Sequence, residues 1–468
     1  MPRAGWVKPA NDQRLSDHVA LGVLTRTFPP TLVDEAVSAT GKAEVRHRLL
    51  PARLVVYYVL AMALFSEASY EEVVRNLVEG LAWESGWQRS WRIPSKSAIF
   101  QARQRLGVEP LRELFKRGCV PLAIAPTGFY GHWRLVSVDG TTLDLADTPE
   151  NEQEFGRPGT GRGEGRGAFP QLRLVGLAEC ATHAIFGLAM GPCSRGETTL
   201  ARDLLGSLSA GMLVLADRNF FSFGLWNEAR ATGADLLWRT KAGHVLPVDQ
   251  RLDDGSYLSH LHEMVNFHRR PSDIVVRVID YGIDDPGRPQ AEERYRLLTT
   301  LVDPEAAPAA DLAALYPQRW EFETTLDELK THQRGPRVVL RSKSPDGVRQ
   351  EAYGLACTHY AIRALMAEVA ESHGVGPDRV SFTRSLRAAR RSVRSGTGAG
   401  AKDLTASLRA AVAEIGYELL PERRLRAAAR VVKRKMSSYA VKRPEHSSWP
   451  QPALRPGDAI RVIGGAPA

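Results

Sequence analysis

The sequence predicts an α/β fold in which a core with a mixed sheet lies between helical N-terminal and C-terminal regions. Three observations carry this. Helical spacing dominates to about residue 120, short apolar runs closed by Gly, Asp or Pro follow from 133, and helical spacing returns after about 311. The chain has 468 residues, which at roughly 150 residues per domain suggests about three units. Hydrophobic residues make up 43% and charged residues 25%. That is the balance of a chain able to bury its own core, and it excludes global disorder.

Taken in order, Leu50 to Phe65 reads as a buried helix, and Ser69 to Leu81 as a helix opened by a Ser69/Glu72 capping box. A turn-rich stretch with Trp83, Trp87 and Trp91 leads to Pro94. The run SAIFQARQRLG then resumes helical spacing, with Arg103 and Arg105 projecting and Gly107 closing the helix. A DNA-binding helix-turn-helix and a bundle with a solvated basic face are equally weighted readings of this region, 1–125. From 126 to 372 the core holds strand-like runs at WRLVSVDGTTLDL, LRLVGLAEC, HAIFGLAMG, GMLVLADRNF and ADLLWRTKAG, with FSFGLWNEARATG as a helix before the last. Further strand-like runs, DIVVRVIDYG and RYRLLTTLVD, fall in an insertion at about 245–300. Residues 373–443 read as a basic helical region and 444–468 as an unstructured tail.

Charge is concentrated. The chain carries +9 overall, yet from Arg379 to Arg443 there are 17 basic residues against Asp403, Glu414, Glu418 and Glu422, and the remainder is slightly acidic. A polyanionic partner fits that distribution, with Lys433, Arg434 and Lys435 among the expected contacts to DNA phosphates. The loop GRPGTGRGEGRG lacks the pattern of a phosphate-cradling loop; its Arg157, Arg162 and Arg166 are candidate DNA contacts on a flexible segment. Four widely spaced cysteines exclude a disulfide framework and a zinc knuckle. No leader-like apolar core opens the chain, and the longest apolar run, Leu54 to Phe65, is too short to span a bilayer. A cytoplasmic protein is expected.

Two aspartates follow apolar runs, Asp139 after LVSV and Asp217 after LVLA, each before turn residues. Alone, each reads as readily as the opening of a turn as a site residue. The run LYPQRWEFETTLDELKTHQRG is more specific. Pro317 suits the first turn of a helix. At about 100° per residue, Arg319, Glu323, Leu326 and Lys330 share one face. A glutamate flanked by two cations stays ionised and suits a site that handles phosphates, although salt-bridged surface helices share the pattern. Trp320, directly after Arg319, reads as a core tryptophan. VSVDGTT lacks the nucleophilic aspartate of haloacid-dehalogenase phosphatases, since position 137 is Ser. His260, His262 and His268 fit no zinc spacing.

Tyr316, Arg319, Glu323 and Lys330 match Y-x2-R-x3-E-x6-K, and so the chain resembles the bacterial cut-and-paste DDE transposases of the insertion-sequence-four class. VDGTTLDL and LADRNFFSFGLW resemble the segments bearing that family's first and second aspartates. FPQLRLVGL and RVVKRKMSSYAVKRP are also similar, so the resemblance runs from about 15 to 443. It implies a ribonuclease-H-like catalytic core with a β-rich insertion. Asp139, Asp217 and Glu323 become the catalytic, metal-binding triad for two Mg2+ or Mn2+ ions. Tyr316, Arg319, Trp320 and Lys330 become DNA contacts. The implied partner is double-stranded DNA at the element's ends and target, bound by a homodimer. A structure-specific metal nuclease and a catalytically inactive DNA-binding protein are the alternatives.

Overall fold

The structure, a computed structural model, describes residues 22–464 except 45–49, 79–92, 160–166, 242, 266–267, 286–293, 336–338, 396–400, 423–430, 433–439, 448–453 and 455–456. Trp83, Trp87, Trp91, Arg162, Arg166, Lys433, Arg434 and Lys435 lie outside the described residues. The strands are β1 (Phe129–Tyr130), β2 (Trp133–Leu145), β3 (Gln171–Glu179), β4 (Ile185–Pro192), β5 (Met212–Ala216), β6 (Asp235–Thr240), β7 (Gln250–Arg251), β8 (Tyr257–Val265), β9 (His268–Ile283), β10 (Tyr295–Thr299), β11 (Val339–Leu340), β12 (Val431–Val432), β13 (Ala440–Val441) and β14 (Ile460–Val462). The chain divides into two compact units. One takes Met1–Gly128, Gly140–Leu200 and Glu321–Pro421; the other takes Phe129–Asp139, Ala201–Trp320 and Glu422–Ala468.

In the first unit, helix Ala52–Leu64 buries every residue but Arg53. A helix apolar all round needs partners on all sides, and Pro345–Ser372, 28 residues long with 20 buried, is the main one. The two approach closely at Gly354, where an added Cβ would stand 3.0 Å from the Val59 carbonyl oxygen. Helix Tyr70–Val78 starts as expected, with the Glu72 N–H donating to Ser69 Oγ (3.2 Å). Helix Lys96–Leu106 is capped by Ser95 and closed by Gly107 at φ 72°.

Arg103, expected to project from that helix, is instead buried. It donates from Nε to Gln350 Oε1 (2.9 Å) and from Nη2 to Ser342 Oγ (3.0 Å) and the Gly347 carbonyl (2.8 Å). Arg105 pairs with Glu44 at 2.8 Å and donates to the Leu50 carbonyl. These two arginines tie the helix to its neighbours and do not form a solvated basic face. β3 and β4 pair antiparallel, and β11 joins the second half of β2 in parallel at Asp144 and Leu145.

In the second unit, the first half of β2, β5 and β6 run parallel, with registers Ser137↔Leu215 and Ala216↔Trp238. Helix Phe223–Arg230, capped by Ser222, makes the crossover from β5 to β6 that parallel strands require. The insertion does not build a separate layer. β10, β9, β8 and β7 continue outward from β6 in that order, each antiparallel to the last. Residues 444–468 are not uniformly unstructured either. Ile460 and Val462 alternate with Arg461 along the edge of β9, and β14 pairs antiparallel to it. Among the described residues no helix is long and apolar enough to cross a membrane, and the four cysteines form no disulfide.

Candidate active site

Asp139 sits in the middle of a strand. β2 runs without interruption from Trp133 to Leu145, so no turn opens at Gly140. The glycine is there for a close approach: a Cβ on it would meet the Glu197 carboxyl carbon at 2.7 Å. Asp217 is the first residue beyond β5 and does open a turn, its Oδ1 accepting the Asn219 N–H at 2.5 Å. Ser137 is paired with Leu215 in parallel register, and Asp139 and Asp217 each lie two residues further on. Continuing that register, with adjacent strands roughly 4.8 Å apart, brings the two positions to the same level along the sheet. The sheet thus brings to one level two positions that are 78 apart in the chain.

The signature segment follows helix Ala309–Leu315 directly, but it is not one uniform α-helix. Tyr316–Trp320 is a 3-10 turn, Glu321–Asp327 an α-helix and Glu328–Gln333 a π-helical turn. The expectation of one face at 100° per residue therefore fails, because the twist per residue changes twice between Arg319 and Lys330. Each cation has a specific partner instead. Arg319 Nη1 donates to Asp139 Oδ2 at 3.2 Å, and the Ser137 hydroxyl donates to the Arg319 carbonyl at 3.4 Å. Lys330 Nζ donates to Thr141 Oγ1 at 2.9 Å. Burial and the nearby Arg334 lower the Lys330 ammonium below its ordinary value, against the pull of Asp144.

Tyr316, expected at the DNA, is buried, and its hydroxyl donates to the Ala216 carbonyl at 3.1 Å. It acts as a strut beneath the end of β5. Burial pushes its phenol well up despite Arg319 and Arg239, so it stays protonated. Trp320 corrects the core reading: it is 46% exposed. Arg157 is largely engaged within the protein, held by Asp147, by Glu152 at 3.1 Å and by the Ala168 carbonyl at 2.6 Å. In the basic C-terminal region, Arg384 pairs with Glu418 and Arg391 with Glu414, while Arg379 and Arg390 donate to the Leu420 and Leu64 carbonyls. The basic surplus on helix Phe382–Ser395 is to that extent neutralised internally. His260 pairs with Asp249, and among the described residues no group of three or more His, Cys, Asp or Glu is drawn together as an ion-holding cluster.

One cluster gave no signal in the sequence. Glu328 is buried and faces His183 Nδ1 (3.4 Å), His359 Nε2 (3.1 Å) and Arg363 Nη1 (3.2 Å). Burial would raise its carboxyl, but the Arg363 and His183 charges and the histidine hydrogen bonds hold it well below the usual carboxylate range.

A model of the transposase DDE domain matches residues 133–360, and a model of the insertion element 4 transposase N-terminal region matches 18–116. Together the two matches take in more than two thirds of the chain. The chain belongs to the insertion element 4 family of DDE transposases. Transposase InsG for insertion sequence element IS4 of Escherichia coli (strain K12) is 28% identical over 420 residues, 88% of this chain and 91% of that protein. Putative transposase InsZ of the same organism is 24% identical over 285 residues, 58% of this chain and 92% of its own. A cryo-EM structure of the piggyBac transposase synaptic complex with hairpin DNA superposes with a TM-score of 0.43 at 12% identity, covering 89% of this chain and 88% of that one.

The DDE transposase domain carries a ribonuclease-H-like core, and the strands fit it: β3 neighbours β2 and β4, and β5 and β6 run parallel to β2. The family also carries dependence on a divalent metal. In the transposase, the expected ligands Asp139, Asp217 and Glu323 are of a residue type that suits such an ion. They are carboxylates, the oxygen donors that a hard cation prefers.

Proposed function

We propose that this transposase binds the terminal inverted repeats of its own insertion sequence, cleaves the element's ends and joins them to target DNA, acting in the cytoplasm as a homodimer on DNA. The observation that carries the reading is the signature segment itself: Tyr316 braces the end of β5 before Asp217, and Arg319 lies on Asp139. In this reading Asp139, Asp217 and Glu323 hold two magnesium or manganese ions. When bound, the ions supply the charge that activates the attacking oxygen and stabilises the leaving one. Arg319, hydrogen-bonded to Asp139, supplies a fixed positive charge for a phosphate oxygen. Lys330, held at Thr141 on the same strand as Asp139, adds a point charge for a second phosphate oxygen. Lys433, Arg434, Lys435, Arg162 and Arg166 supply contacts to the DNA backbone.

The test uses a linear duplex ending in the element's repeat, incubated with magnesium. Release of the end and its joining to a second duplex support the reading, and chelation abolishes both. Cutting of unrelated branched duplexes without joining favours the nuclease alternative.

Two variants separate the roles. Lys330→Met is expected to lower kcat/KM for cleavage by roughly 10- to 100-fold, the scale of about 1.4–2.8 kcal/mol lost from phosphate positioning. Residual cleavage remains because the carboxylates are intact; complete loss would contradict a role limited to phosphate positioning. Trp320→Ala is expected to leave thermal stability within about 0.5 kcal/mol, as exposed positions do. The variant still makes the first nick, and a later step in which the nicked strand closes on its opposite strand with one base drawn out of the stack is slowed, through loss of a stacking contact of about 1–3 kcal/mol. Gel kinetics of the two steps check this, and equal slowing of both overturns it.

A further inference from the structure

The α-helical turn that bears Glu323 is gripped at both ends by one imidazole. His183 lies in the turn between β3 and β4. Its Nε2 stands 2.8 Å from Glu321 Oε2 and its Nδ1 stands 3.4 Å from Glu328 Oε1. Glu321 precedes Glu323 by two residues, and Glu328 precedes Lys330 by two. Helix Pro345–Ser372 completes the grip, with His359 Nε2 on Glu328 Oε2 and Arg363 Nη1 on Glu328 Oε1. Arg363 Nε also donates to the Thr182 carbonyl, which ties the turn carrying His183 to the same helix.

Two features argue that the imidazole itself is needed. His183 has φ 57°, the one non-glycine residue at positive φ among the described residues. Glycine or asparagine adopts that conformation more easily, so the turn alone does not call for histidine. The grip also falls where the helix widens from α to π at Glu328, a place where backbone geometry has more than one local solution and needs fixing.

We propose that His183 is a positioning residue for the known reaction: wedged between Glu321 and Glu328, it sets where Glu323 and Lys330 stand and so how firmly the divalent ion is held. This rests on the reading of Glu323 as a metal ligand. Groups that orient ligands in this way typically change metal affinity by about 10- to 100-fold when removed.

The experiment compares wild type, His183→Gly, His183→Asn and Glu323→Gln, each bound to a duplex carrying the element's end. Both substitutions at 183 accept positive φ, so the turn is retained. Manganese is titrated into each complex and the free ion followed by electron paramagnetic resonance, alongside Tm, duplex affinity and cleavage kcat. The expected result is a roughly 10-fold or larger rise in the manganese Kd for both His183 variants, with kcat reduced and duplex affinity and KM unchanged. If His183→Gly loses its fold, His183→Asn is read in its place. Unchanged manganese binding and kcat in the His183 variants overturn the proposal while Glu323→Gln still loses manganese. A loss of duplex affinity that tracks a fall in Tm in both His183 variants overturns it too, since His183 would then be purely structural. Unchanged manganese binding in Glu323→Gln instead overturns the reading of the site on which the proposal rests.

Discussion

Glu323→Gln is expected to reduce cleavage and end joining by at least about 10³-fold, while affinity for the element's ends stays within about twofold. The amide keeps the shape of the side chain but loses the negative charge that a divalent ion requires. Asp139→Asn and Asp217→Asn are expected to do the same, because in the proposed reading each carboxylate fills a ligand position that no other residue fills. The losses do not add: a double variant is expected to be about as impaired as the worse single one, as when groups act as one unit. Cleavage kinetics and duplex binding by fluorescence anisotropy measure both halves. Wild-type-like nicking by Glu323→Gln would reduce the Y-R-E-K match to a structural helix.

The largest effect on stability is expected at Arg277, far from that chemistry. Its guanidinium is fully buried in the sheet unit. It donates to Ser256 Oγ (2.8 Å) and to the carbonyls of Leu301 (3.1 Å) and Ala307 (2.6 Å), and it pairs with Asp254. Arg277→Met removes the fully buried member of an ion pair whose Asp254 partner is half-buried, and leaves carbonyls without donors, a change that costs about 3 kcal/mol. The same pair dictates a pH dependence. Burial pushes the Asp254 carboxyl up, but hydrogen bonds from Ser256 and the Ala309 N–H, with the Arg277 charge, outweigh it and leave the carboxyl low. Asp280, likewise buried, is held low by Arg296 and Arg294. A carboxyl lowered on folding contributes its full stability above the unfolded value of about 3.9 and loses it as pH falls through the folded value. Tm of the wild type should therefore be flat from pH 7 to about 5 and fall below about 4. In Arg277→Met the fall should be shallower, from a lower start. Thermal melts between pH 7 and pH 2 test both statements.

Much of this architecture was legible because it rests on local pattern. Apolar runs such as LVLA and DIVVRVIDYG are strands, and the capping box at Ser69 starts its helix where it should. The failures were also physical. Gly140 after Asp139 reads as a turn, yet it serves a close approach of Glu197 inside a continuing strand. Arg103 reads as a surface cation, because nothing local reveals that Gln350 and Ser342 receive it, more than 230 positions away. The equal spacing assumed from Arg319 to Lys330 hides two changes of helix type, which depend on tertiary anchoring at Glu328. His183 lies 145 positions from Glu328, and a lone histidine in a turn carries no pattern at all. At the candidate site, then, the motif supplied the expected residues, while partners such as Thr141 for Lys330 and the Ala216 carbonyl for Tyr316 emerged only in three dimensions.

The most direct measurement of the central claim is a change of metal preference. Asp139→Cys, Asp217→Cys and Glu323→Cys each replace a hard oxygen donor by a softer thiolate, which magnesium shuns and manganese accepts more readily. Cleavage of a repeat-ended duplex is measured for the three variants and the wild type, in magnesium and then in manganese. If these residues hold the ions, the wild type cleaves with both metals, and the three variants are inactive with magnesium and recover part of their activity with manganese. Cleavage by the cysteine variants that matches wild type in magnesium would contradict the assignment of Asp139, Asp217 and Glu323 as the metal ligands.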